Sequence, residues 1–326
     1  MVGVFVSVLL FVVSLGILLA ASDAFTSAAE QIGLSLGISP FIIGVTIVAG
    51  GTSLPELISS LLAVSQGVPA IVMGSVVGSN ISNMLFVLGL AAVVGGDIRV
   101  IRELVEVDLP LLVASAVFLV VATWNSPFSW YEGLLALAAL AVYIQFTIKE
   151  KDRYVGMLIE EVIEDRDEEV AERPEGQVDM KTYAKLVLSL IFVFGAAYVL
   201  VESIVDLATA LQIGTEIVAI TAVAVGTSLP EVIVSVMAVR KDLPGLAVGN
   251  VLGSNLFNSF LVTGVPSLVG DLVIPASIRS YGLPVMLLIT ILYFFITQDR
   301  EITRSEGMTL LVLYVLFLVN LGAFIQ

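Results

Sequence analysis

The sequence predicts an all-α integral membrane protein of ten transmembrane helices, arranged as two inverted five-helix repeats. Three observations lead there. The 326 residues are 58% hydrophobic and 13% charged, with a mean hydropathy of +1.07, whereas soluble domains carry about 25% charged residues. Apolar runs of about 20 residues, the length that spans a bilayer, recur along the whole chain. Two segments far apart in the chain also align with each other without a gap.

The spans fall at roughly 2–22, 40–66, 68–92, 105–124, 128–148, 182–209, 215–240, 244–269, 278–297 and 304–324. The first begins Met1-Val2-Gly3-Val4-Phe5. It lacks the positive n-region of a secretory signal and is expected to be a retained span. Gly, Ser, Asn and Pro pepper the second, third, seventh and eighth spans, which are therefore expected to be broken helices. Asp23, Glu30, Glu202, Asp206 and Glu216 lie near predicted helix ends, where interfacial water solvates them.

One long hydrophilic stretch, Lys149 to Lys181, holds 12 acids and 6 bases in 33 residues. Within it, Val155, Leu158, Ile159, Val162 and Ile163 have near-helical spacing, which suggests a solvated linker carrying a surface helix. It is too short to be a regulatory domain. The chain thus divides into a first repeat (1–148), an acidic loop (149–181) and a second repeat (182–326). With the N-terminus outside, the loops after spans 3, 5, 7 and 9 and their borders contain 13 of the 14 basic residues, all but Arg279. The positive-inside rule therefore places the acidic loop in the cytoplasm of a multi-pass cell-membrane protein.

Histidine and cysteine are both absent. Disulfides, cysteine nucleophiles, Ser-His triads, haem, iron–sulfur clusters and Cys/His zinc sites are excluded with them. No cofactor is expected, and any metal must be held by oxygen. The formal charge of −15 argues against a nucleic-acid partner.

Residues 46–92 and 221–267 match at 22 of 47 positions, at an offset of 175. Gly51-Thr52-Ser53-Leu54-Pro55-Glu56 returns as Gly226-Thr227-Ser228-Leu229-Pro230-Glu231. Gly74-Ser75-Val76-Val77-Gly78-Ser79-Asn80-Ile81-Ser82-Asn83 returns as Gly249-Asn250-Val251-Leu252-Gly253-Ser254-Asn255-Leu256-Phe257-Asn258. Five spans per repeat is an odd number, so the second copy enters the membrane in the opposite sense. The two motifs then face each other about a pseudo-two-fold axis, the plan of many secondary transporters.

A carboxylate inside hydrocarbon is costly and marks a functional site by default. Glu56 and Glu231 each follow a proline within a span, and the missing proline N–H frees nearby carbonyls to bind cations. Thr52 and Ser60 lie four residues either side of Glu56, as Thr227 and Ser235 do around Glu231. Ser79 and Asn83, and Ser254 and Asn258, repeat that spacing in the following spans. The broken helices thus surround a midplane cluster of carboxylate, hydroxyl and amide oxygens, which suits a hard cation such as Ca²⁺. The two glutamates match its charge. The alternative is that Ser, Thr and Gly only let helices pack closely. For the glutamates that reading is weak, because these four spans carry no Lys or Arg before Arg240. For Ser75, Ser82, Asn80 and Asn255, which lie off the predicted face, both readings stay open.

At these residues the chain resembles the sodium/calcium exchanger family within the cation/calcium antiporters, in a prokaryotic-type form without a regulatory domain. The paired Gly-Thr-Ser-Leu-Pro-Glu and Gly-Ser-Asn-x-x-Asn segments look like that family's two alpha-repeats. The resemblance implies ten helices and Ca²⁺ export driven by inward Na⁺, both ions being substrates. It implies coordination by Glu56 and Glu231 with oxygens of Thr52, Ser53, Ser79, Thr227, Ser228 and Ser254. Backbone carbonyls near Ala49 and Ala224 join them, and Asn83 and Asn258 fill the remaining corners. In potassium-dependent exchangers the position of Asn258 is an aspartate, so the chain looks potassium-independent. The implied mechanism is alternating access, with the first and sixth spans as the moving gate. A monomer suffices for it.

A proton/calcium antiporter, with two protons discharging the glutamates, is the alternative reading. A passive cation channel could use the same ring of oxygens. An enzyme is disfavoured, since the sequence has no Gly-x-Ser-x-Gly elbow, no His and no Cys.

Overall fold

The computed structural model describes residues 2–35, 40–99, 108–125, 127–149, 179–210 and 228–324. The helices are α1 (Val2–Ser35), α2 (40–52), α3 (Leu54–Ser65), α4 (Ala70–Gly95), α5 (Leu109–Ala122), α6 (Trp130–Lys149), α7 (Met180–Ala210), α8 (Leu229–Arg240), α9 (Pro244–Ser267), α10 (278–296) and α11 (Arg304–Phe324). Since α2 and α3 are two halves of one span, the described helices occupy all ten predicted spans. Among the described residues, seven stretches are long and apolar enough to cross a membrane. Exposed side chains such as Val12, Val121, Leu135, Val142, Ile191, Leu288 and Val315 face outward, as a lipid-facing surface requires.

The most hydrophobic window of α1 is only 22% buried, against 78% for α4 and 89% for α9. The two repeated spans therefore form the centre, and the other helices pack around them. Glycine sets how closely they approach. A Cβ on Gly249 would strike the Phe41 carbonyl, and one on Gly44 would strike the Leu246 carbonyl. On Gly253 it would stand 2.5 Å from the Val45 carbonyl oxygen. Backbone contact of this kind, between small residues four apart, is a recurrent way for membrane helices to associate. It brings Thr52, at the end of α2, against α9.

The inversion is visible in two short β contacts. β1 (Ile98–Arg99) and β2 (Glu301–Ile302) pair antiparallel, with Ile98 opposite Ile302. Phe128 and Leu272 form a second antiparallel bridge. The first joins the loops after spans 3 and 9, and the second joins those after spans 4 and 8, so they lie on opposite faces of the membrane. Their residues are repeat-mates: 272 − 98 and 302 − 128 both equal 174. All four apolar residues are fully buried.

Two sequence expectations need correction. α1 does not end near residue 22 but runs to Ser35, so Asp23 and Glu30 lie within it, because α1 and α7 support each other lengthwise. α7 ends at Ala210, close to the expected 209, with Asp206 near its end, and Glu216 lies outside the described residues. Further, among the described residues the second span shows a break at Ser53, two residues before Pro55. In the seventh span α8 starts after Ser228, two residues before Pro230, and what precedes Ser228 lies outside the described residues. The third and eighth spans run through without a break. In the eighth span Gly249 and Gly253 allow close approach to α2, and no proline interrupts either span until Pro266 near the end of α9. The surface helix expected at 154–170 lies outside the described residues.

Candidate ion-binding site

Ser53 has φ −83°, ψ −1° and Ser228 has φ −94°, ψ 1°. The same near-zero ψ interrupts both repeats at the same place. Proline then starts α3 and α8, where its missing N–H is harmless. Glu56 and Glu231 follow in the first helical turn, where a carboxylate is favoured by the positive end of the helix dipole. The two carboxylates are only 4% and 2% exposed. They interact electrostatically with each other, and Glu231 also interacts with the Thr52 hydroxyl.

Thr52 connects the repeats. Its hydroxyl lies 3.3 Å from Ser254 Oγ and 3.3 Å from Asn250 Oδ1, to which it donates. It also reaches the Ala49 carbonyl at 3.3 Å, and that carbonyl accepts the Ser53 N–H at 3.0 Å. In the third and eighth spans, π-helical turns begin at the repeat-mates Asn83 and Asn258, covering Asn83–Val87 and Asn258–Val262. π turns of this kind often mark functional sites in helices.

The hydrogen-bond balance of the cluster is unusual. Buried side-chain oxygens normally find a partner. Here, among the described residues, Ser53 Oγ, Glu56 Oε2, Ser79 Oγ, Asn80 Oδ1 and Asn83 Oδ1 of the first repeat have no protein partner, nor have Ser228 Oγ, Glu231 Oε2 and Asn258 Oδ1 of the second. Among the described residues no Lys or Arg pairs with either glutamate. Nor do three or more carboxylates gather anywhere there. An uncompensated buried carboxylate costs several kcal/mol. The arrangement therefore offers what a cation site needs: two carboxyl groups and neutral oxygens from both repeats, all buried.

Of the residues singled out from sequence, Glu56, Glu231, Thr52, Ser53, Ser79, Asn83, Ser228, Ser254 and Asn258 are all buried, as is Ala49. Thr227 and Ala224 lie outside the described residues. Sequence reasoning missed Asn250. Its amide donates to Ser235 Oγ at 2.9 Å and to the Glu231 carbonyl at 3.5 Å, while its oxygen accepts from Thr52. It replaces Ser75 of the first repeat, and that departure from the repeat was the available signal. The open question over Asn255 resolves toward packing; Asn80 shares the reciprocal bond across the interface between α4 and α9, yet its Oδ1 has no partner among the described residues.

The sodium/calcium exchanger protein family matches residues 6–149 and 181–322. The sodium/calcium exchanger MaX1 of Methanosarcina acetivorans is 35% identical, over 97% of this chain and 98% of its own length. The inner membrane protein YrbG of Escherichia coli is 31% identical over 93% and 92% of the two chains. A solved structure of the sodium-calcium exchanger NCX_Mj superposes with a TM-score of 0.81 at 30% identity, covering 98% of this chain and 99% of that one. With both repeats matched and the whole length covered, the chain belongs to the sodium/calcium exchanger family.

Proposed function

We propose that this protein exchanges Na⁺ for Ca²⁺ across the membrane by alternating access at the cluster around Glu56 and Glu231, exporting Ca²⁺ from the cell. The observation that carries the reading is the set of eight buried oxygens, unpartnered among the described residues, on repeat-related residues of spans 2, 3, 7 and 8. Ca²⁺ takes six to eight oxygens in flexible geometry, and two carboxylates balance its charge. Ser254, Thr52, Thr227 and the carbonyls of Ala49 and Ala224 complete the proposed set. Na⁺ ions compete for the same oxygens. Loading by either ion offsets the buried charge, whereas the bare −2 site resists the passage between states. MaX1 and NCX_Mj carry the names of sodium/calcium exchangers, which favours this coupling over proton/calcium antiport.

Alternating access needs two packings of one chain, and the repeats differ in the expected way. Leu229 is buried, and Ile233 partly buried, against Leu18 and Ala21 of α1 and Val193 and Ala196 of α7. Their repeat-mates Leu54 and Ile58 are 40% and 57% exposed. The pair α1–α7 thus covers α8 and leaves α3 open. Basic residues place Arg240 and Lys241, at the end of α8, in the cytoplasm. On that orientation the inner half of the pathway is closed and the outer half open. In the opposite state α1 and α7 cover Leu54 and Ile58 and release Leu229 and Ile233.

The test is ion-dependent flux in reconstituted vesicles. Na⁺-loaded vesicles are expected to take up ⁴⁵Ca²⁺ against its gradient, and Glu56→Gln and Glu231→Gln to stop it. Uptake driven by a pH gradient without Na⁺ would establish proton coupling instead. Uptake that never exceeds equilibrium would establish a channel. Normal exchange in either glutamine variant removes the site assignment.

A further inference from the structure

We propose that the groove between α1 and α7 is a binding site for an anionic phospholipid of the leaflet beside the 149–181 loop. The groove is open along one side and has a volume of about 600 Å³. It exists because small side chains meet: Ala20, Ala21 and Ala24 of α1 and Ala184 of α7 leave a hollow that Leu188 and Phe192 extend. The one hydroxyl in its wall, that of Ser189, is committed to the Lys185 carbonyl at 2.6 Å and the Leu186 carbonyl at 3.0 Å. The wall therefore offers an acyl chain no polar group that would be left unsatisfied.

The groove's two charges sit together at one end. Lys181 and Lys185 are one turn apart at the start of α7 and both line it. Lys181 has a 3.7 Å contact to Asp179, with both side chains largely exposed, and such pairs hold their partners weakly. Both lysines are exposed, at the membrane end of the acidic loop. Their long stems can lie along the groove while the ammonium groups stay at the headgroup level. A chain-sized apolar slot ending in two cations complements a phospholipid whose headgroup bears net negative charge, the recognised form of basic lipid pockets between membrane helices. Occupancy would bind α1 to α7 as a unit.

The proposal is independent of ion coupling and is tested on the purified full chain in detergent. Phosphatidylglycerol or phosphatidylcholine is added back, and retained lipid is counted by native mass spectrometry alongside thermal unfolding. Each lysine is expected to favour the anionic lipid by roughly fivefold, so wild type prefers it by roughly 25-fold. In Lys181→Gln/Lys185→Gln the preference falls to near unity, with phosphatidylcholine retention unchanged. Ala184→Phe fills the slot from one wall and Ala24→Leu from the other, and each is expected to weaken both lipids alike. An undiminished preference in the double variant overturns the proposal. So does undiminished retention of both lipids in the filled variants, or an equal thermal shift from inorganic phosphate alone.

Discussion

Asn80 and Asn255, repeat-mates 175 residues apart, each donate their side-chain amide to the other's backbone carbonyl at 3.4 Å. The reciprocal pair marks the pseudo-two-fold axis. It couples to the ion cluster on one side only: Asn255 Oδ1 accepts from Asn83 Nδ2 at 3.0 Å, whereas Asn80 Nδ2 turns to Ser259 Oγ at 3.0 Å. Asn80→Ala is expected to lower thermal stability by about 1–3 kcal/mol, the cost of orphaned buried groups, with little change in KM for Ca²⁺. Asn255→Ala releases Asn83 as well and is expected to raise that KM. Equal effects of the two on KM would contradict this division.

The glutamates are expected to trade stability for function. Glutamine keeps their shape and removes a buried charge that has no basic partner among the described residues, so Glu56→Gln and Glu231→Gln are expected to unfold at higher temperature than wild type without Ca²⁺. Wild type should gain about 2.7 kcal/mol at Ca²⁺ one hundred times its Kd, and the variants almost none. Calorimetry with and without Ca²⁺ reads both. A variant less stable without ions than wild type would show that these carboxylates hold the fold.

Close approach of α2 and α9 is expected to matter through Gly253. An added Cβ would meet the Val45 carbonyl oxygen at 2.5 Å and the Ala49 Cβ at 2.6 Å, both on α2. Gly253→Ala is therefore expected to cost about 1–3 kcal/mol and to reduce flux by pulling Thr52 from Ser254. Gly16→Ala, where nothing lies within 4 Å, is the control. It is expected to stabilise by about 0.5–1 kcal/mol. Flux and thermal unfolding on the pair would separate packing at the site from helix propensity.

The asymmetry of the repeats can be read by labelling, since the chain has no native cysteine. Leu54→Cys is expected to react with a water-soluble maleimide faster than Leu229→Cys. Lys241 Nζ lies 2.9 Å from Asp23 Oδ1 and ties the end of α8 to α1. Lys241 Nζ also donates to Ser27 Oγ of α1, and Asp23→Asn removes the ion pair while leaving that hydrogen bond. As Asp23 is half exposed, the tie is worth at most about 1 kcal/mol, so the ratio of the two labelling rates should shift toward Leu229→Cys by up to about fivefold. An unchanged ratio would assign the pair no part in the balance of states.

Much of the fold and cluster was legible because membrane insertion imposes strong rules on local sequence. Runs of apolar residues define spans, and five spans per repeat dictate inversion. Glu56 and Glu231 announce themselves because carboxylates inside hydrocarbon are costly. Other features were hidden. Nothing in the Ser22–Ser27 stretch shows that α1 continues to Ser35, because support comes from α7. Asn250 looked like a divergence from Ser75 until α8 and α2 were placed on either side of it.

Composition and the repeat thus determined by themselves that this is a ten-span membrane protein with a carboxylate in each copy of one repeated motif. Those properties follow from which residues the bilayer tolerates and from counting. Which oxygens are left unpartnered, which asparagines close the axis, and which half of each repeat α1 and α7 cover were decided only in the tertiary structure. Identical motifs cannot encode that choice locally. Leu54 and Leu229 stand in the same six-residue motif, Gly-Thr-Ser-Leu-Pro-Glu, yet one is 40% exposed and the other 9%, because one helix pair can pack against only one of two equivalent faces at a time.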